Sequence, residues 1–158
     1  MNKYLWTAAL LVATASLAGS GTEVPYPADY RSWRHIKSMV IEEGHPLYSS
    51  FGGIHHLYAN TKAVAGYRSG HFADGAVIVF DLLDAHEQGG AIVEGDRKVL
   101  GVMHRNRARY AATGGWGFEG FAQGARDRRV VADNAAQACF GCHAAQSKTN
   151  YLFSAIRD

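Results

Sequence analysis

Ala73-Asp74-Gly75-Ala76-Val77-Ile78-Val79-Phe80-Asp81-Leu82-Leu83 stands near the middle of this chain of 158 residues, and its reading decides the fold. An Asp-Gly turn signal opens a run of β-branched, aromatic and aliphatic residues that lacks the i, i+3, i+4 spacing of a helix face. Ala76 to Leu83 therefore reads as a buried strand. Working outward, Ile54 to Asn60, Ala91 to Glu94, Val99 to Met103 and Trp116 to Phe121 have the same character. Their boundaries are glycine-rich or polar turns such as Ser69-Gly70, Gln88-Gly89-Gly90 and Thr113-Gly114-Gly115. Such segments with no helical pattern between them predict an antiparallel sheet, not βαβ units.

Upstream, the prolines of Val24-Pro25-Tyr26-Pro27 hold an extended opening segment. Trp33, Ile36, Lys37 and Val40 then fall at i, i+3, i+4 and i+7, which predicts an amphipathic helix from Ala28 to about Glu42 with Asp29 in its first turn. Downstream, Asn134 to Gln146 predicts a short helix. The expected class is α+β: an antiparallel β-sheet flanked by an N-terminal helix and a C-terminal helix. No internal repeat or low-complexity tract interrupts it.

The C-terminal helix carries Cys139-Phe140-Gly141-Cys142-His143, which reads as the attachment site of one c-type haem. Two thiols bond to the vinyl groups and the histidine reaches the iron. Cys139 and Cys142 are the only cysteines in the chain, so thioethers would consume both. A thioredoxin-like redox pair would need a following sheet, and a zinc site would need two further ligands of suitable spacing; neither is present in the sequence. In small electron-transfer cytochromes c the motif lies near the N-terminus with a ligating methionine downstream, whereas Met1, Met39 and Met103 all precede this one. The four-helix cytochromes c′ share the C-terminal placement, but their helical periodicity is missing from the middle of this chain.

Met1-Asn2-Lys3 followed by the apolar run Leu5 to Ala18 and small residues up to Ser20 predicts a secretory signal peptide over residues 1–19. The run falls short of the roughly 20 apolar residues of a membrane span, so no membrane association is expected after cleavage. What remains, residues 20–158, is enough for one core. With 16 Lys and Arg against 14 Asp and Glu, no nucleic-acid partner is implied. Arg105 to Arg109 and Arg126 to Arg129 are arginine-rich; they could meet an acidic redox partner or haem propionates, and solvated faces are the plainer account.

The tract Asp74 to Val79, the later Gly114-Gly115-Trp116-Gly117-Phe118-Glu119, and a C-terminal Cys-x-x-Cys-His in that order resemble the cytochrome P-460 family over essentially the whole mature chain. The resemblance implies a largely antiparallel β fold, a single haem domain, a homodimer, a periplasmic location and a five-coordinate iron. Two branches exist within it. One oxidises hydroxylamine, with a lysine cross-linked to the haem and a carboxylate in the distal pocket. The other, cytochrome c′-β, has a phenylalanine-capped pocket that binds nitric oxide and related gases such as carbon monoxide. On the c′-β resemblance, Phe51 and Phe80 map onto the distal cap.

The remaining candidates divide between these branches. Lys62, just past the first predicted strand, and Lys98, in a turn-like context, are the lysines considered for a cross-link. Glu94 and Glu119 are the acids closest to sheet context that could serve as a base. His55 and His56 would point to opposite sides of a strand, so one of them at most approaches the haem. His35, His45, His71, His86 and His104 are further possible ligands, and Tyr58, Tyr67 and Tyr110 offer hydroxyls. The expected function is a gas-binding periplasmic cytochrome with an apolar distal pocket. The alternatives are a hydroxylamine-oxidising enzyme and a plain electron carrier with a redox partner.

Overall fold

The computed structural model describes residues 23–157, so the predicted signal peptide lies outside the described residues. Five antiparallel strands form one sheet in the order β1-β2-β3-β4-β5. They are β1 (Arg34–Ile41), β2 (Gly53–Ala59), β3 (Val77–Gln88), β4 (Ala91–Arg105) and β5 (Trp116–Ala122). The short α1 (Tyr48–Phe51) joins the first two, and α2 (Thr61–Ser69) joins β2 to β3. The α+β class and the strand from Ala76 onward are as expected from the sequence.

Two local expectations are corrected. The stretch read as an N-terminal helix is a turn of 3-10 helix at Tyr30–Ser32 followed by edge strand β1. Its apolar residues satisfy helical and extended spacing alike over so short a span. Pairing with β2 tips the balance, because a strand there satisfies backbone groups that β2 would otherwise expose. The turn expected at Gly95-Asp96-Arg97-Lys98 is strand as well, so two predicted strands merge into β4. Irregular register at Leu82/Leu83 and Leu83/Ala85 of β3 absorbs the mismatch. The real turn is Gly89-Gly90, with φ of +61° and +81°, the left-handed pair that a two-residue hairpin requires.

Helix α2 was not expected, although its signals are present. Asn60 caps it by accepting from Ala63 N at 2.9 Å, and Gly70 ends it at φ +75°. The same Asn60 oxygen accepts from Val77 N at 3.1 Å, tying the helix start to β3.

Cross-strand partners share a face, so the register sorts the sheet into two sides. One side presents Ile78 and Phe80 of β3, Gly101 and Met103 of β4, and Phe118 of β5. The other presents Val79, Leu100, Val102 and Phe121, covered by Val24 and Tyr30 of the opening segment. On that covered side Asp81 is buried at 2% exposure. It accepts from Arg97 Nε at 2.5 Å and Tyr30 Oη at 2.7 Å, with Arg31 at 3.6 Å. Burial and the Asp81 carboxylate push the Tyr30 hydroxyl up to about 12. Arg97→Met leaves the buried Asp81 carboxylate with only Tyr30 and the exposed Arg31, so we expect a loss of about 3–5 kcal/mol in urea denaturation of the holoprotein, while Asp81→Ala costs less because the partly exposed Arg97 guanidinium can turn to water.

Candidate functional site

After β5 the chain turns back along that strand, Val130 N donating to Gly120 O at 2.9 Å. Glu119, 5% exposed, fastens this return. Its carboxylate accepts from Val131 N at 3.0 Å, Ala132 N at 3.3 Å and Arg129 Nη1 at 3.1 Å. Glu119 lines the same cavity as the cysteine motif, but with these bonds made it anchors the segment that leads into that motif and is not a free base. Glu94 is also engaged, 2.6 Å from His56 Nε2 on the side of the sheet away from the motif.

The helical stretch that follows changes its winding along its length. Ala136–Phe140 is a π turn, Gly141–His143 is α3, and Ala144–Thr149 is 3-10 helix. Cys139, Cys142 and His143 stand at i, i+3 and i+4, so all three share one face. That face and the sheet enclose a cavity of about 310 Å³, lined by all three motif residues together with Phe51, Phe80 and Phe118 among others. The five site residues expected from the sequence are thus brought together. Phe51 and Phe80 meet edge to face at 5.8 Å, far in the sequence from the motif but on the wall formed by the sheet and α1.

The residues fit a haem on several independent grounds. His143 Nδ1 donates to the Tyr151 carbonyl at 2.6 Å, which leaves Nε2 with its lone pair, as a ligating imidazole requires. Phe118 at 5.0 Å and Phe153 at 4.9 Å pack against the ring. Burial lowers its pKa, against the raising effect of that backbone bond. Gly101 lines the cavity opposite Phe80, where an added Cβ would lie 3.4 Å from the Phe80 side chain, so glycine keeps the space open. Both thiols are free. Burial, with Glu119 and Cys142 nearby, pushes the Cys139 thiol up to about 11, the reverse of what an attacking redox thiolate needs.

The other candidates separate cleanly. Lys62 donates to Asp74 O at 3.1 Å and Lys98 to Gly52 O at 2.8 Å, and neither lines the cavity. Lys37 does line it, from β1, together with Met39 and Ile41. Sequence reasoning missed these three because it wound their segment into a helix; their i, i+2, i+4 spacing is the strand signal that would have found them. Met39 and Met103 reach the cavity although they precede the motif. Of the histidines other than His143, His55 lines the cavity, while His56 faces away, between Ser38 Oγ at 2.6 Å and Glu94. Tyr67 is bonded to Ser154 and Tyr110 to Glu23 O, and neither they nor Tyr58 line it. The arginine-rich runs also lie elsewhere: Arg107 pairs with Asp74, Arg128 with Gln123, and Arg129 with Glu23 and Glu119.

Among curated proteins none matches this chain. The family model described as Cytochrome P460 matches residues 27–154, from the opening segment through the cysteine motif to Ser154.

Proposed function

The chain belongs to the cytochrome P460 family and is a haem-binding cytochrome; within that family we propose that it is a gas-binding protein of the c′-β kind, holding one c-type haem and taking up nitric oxide or carbon monoxide. Cys139 and Cys142 would form the two thioethers, and His143 would ligate the iron through Nε2. When bound, the haem supplies an iron centre with one open position for a diatomic ligand.

The observation that carries this reading is the paired rings of Phe51 and Phe80 on the cavity wall, combined with the hydrogen bonds that already occupy both candidate acids, Glu119 on the cavity lining and Glu94 away from it. Aromatic rings exclude water and offer a bound ligand no donor, which disfavours a strongly polarised ligand relative to a weakly polar one. Hydroxylamine oxidation needs a group to take protons from the substrate, and Glu119 spends its oxygens on Val131, Ala132 and Arg129.

One observation favours the enzymatic branch: Lys37 lines the cavity and is the side chain from which a haem cross-link would come. The two readings separate in one preparation. The gas-binding reading expects an ordinary five-coordinate ferrous spectrum, a nitric oxide adduct, no steady hydroxylamine oxidation with an electron acceptor, and an unmodified Lys37 in haem peptides by mass spectrometry. Turnover with Lys37 bonded to the haem would overturn it.

The same proposal places the protein in the periplasm, since a basic and then apolar leader precedes the domain and covalent haem attachment belongs outside the cytoplasm. It also assembles the protein as a homodimer. Edge strand β1 exposes Val40 and leaves its outer strand edge unpaired for a second copy.

A further inference from the structure

His55 and His56 are neighbours in sequence with opposite fates. His56, turned to the far side of the sheet, has both ring nitrogens occupied, by Ser38 and Glu94. His55 faces the cavity at 4% exposure, and its Nδ1 is buried without any hydrogen-bond partner. A buried polar atom left unpaired is costly, and the cost persists only where something outside the protein chain satisfies the ring or where the site uses it. The ring lies against Phe80 with centroids 4.6 Å apart and planes tilted by 35°. The phenylalanine that caps the cavity therefore packs directly on His55, so a motion of that ring changes what the imidazole can meet.

We propose that His55 is a hydrogen-bonding station for the small molecule held in this cavity, reached when the Phe80 ring swings aside. The proposal rests on the gas-binding reading given above and adds a polar partner to an otherwise apolar wall. The ligand class is a diatomic whose outer atom carries partial negative charge, or a water molecule in its place. Burial, reinforced by the Lys37 ammonium and by His56, pulls His55 down to about 4, so at neutral pH the ring carries one N–H donor and one acceptor. A neutral donor held behind an aromatic ring gives a graded response. Any diatomic, carbon monoxide included, gains part of the bond for the fraction of time the ring is aside, and a more polarised one gains more of it.

Carbon monoxide on the ferrous holoprotein is the probe, read by the infrared C–O stretch and by the dissociation rate. His55→Leu is expected to raise the stretching frequency and to speed dissociation about two- to tenfold, the size of one net hydrogen bond. His55→Asn retains an N–H and is expected to stay close to the wild type in frequency, which separates loss of the bond from loss of packing. Phe80→Ala is expected to lower the frequency, and adding His55→Leu to it should abolish that lowering. An unchanged stretch and rate in His55→Leu, with a five-coordinate ferrous spectrum before gas is added, overturns this inference and leaves the gas-binding reading standing. Six-coordinate visible bands in the wild type that vanish in His55→Leu would make His55 an iron ligand and overturn both. Hydroxylamine turnover by the wild type overturns the gas-binding reading alone, and the C–O comparison then decides the role of His55 by itself.

Discussion

Replacing Cys139 and Cys142 together with serine is expected to abolish covalent haem retention. The wild type should keep its haem through denaturing electrophoresis and acid-acetone extraction, and the double variant should not. The expectation follows from geometry: the two thiols and His143 share one helical face on one cavity, and both cysteines are free. Serine preserves size and hydrogen bonding and removes only the sulfur that bonds to the vinyl carbon. His143→Ala tests the second half of the motif. Nδ1 is fixed on the Tyr151 carbonyl, so the ring has one orientation, and no other histidine shares its helical face. The variant should either fail to mature or carry haem without the native ferrous spectrum. Complete extraction of haem from the wild type, or normal iron coordination in His143→Ala, would sink the assignment.

Phe80→Ala is expected to accelerate carbon monoxide and nitric oxide association by roughly tenfold or more, because a ligand no longer has to displace a packed ring, a step that costs on the order of 1–3 kcal/mol. Phe80 is held between the Phe51 ring at 5.8 Å and the His55 ring at 4.6 Å, so its motion disturbs both neighbours. Phe51 sits at the end of α1 and is 39% exposed, with a freer outer edge. Phe51→Ala should therefore act in the same direction with a smaller effect. Stopped-flow and flash-photolysis kinetics on folded holoprotein would read both. If neither substitution changes association, the rings are core packing and do not guard the iron.

The sequence by itself determined the parts of this protein that depend on local chemistry. The thiol–thiol–imidazole motif is legible because covalent attachment requires all three groups within one helical turn and a half. The sheet is legible because Val77 to Leu83 is too rich in β-branched and buried residues, and too poor in helical spacing, to wind into a bundle. Asn60 and Gly70 equally encode the ends of α2, although a turn of polar and small residues masked the helix between them. Only the tertiary structure decided β1, since eight residues fit two periodicities and the open edge of β2 settles which is formed. The same decision put Lys37 and Met39 on the cavity wall, and register alone turned His55 inward and His56 outward. Glu119 shows the limit most plainly. An acid beside Trp116 and Phe118 looks available in one dimension, but the return of the chain along β5 delivers three N–H donors to it, from Arg129, Val131 and Ala132, and a carboxylate surrounded by donors serves as an anchor. Which groups remain free to meet a ligand is set by contacts between residues remote in sequence, and no local pattern records those contacts.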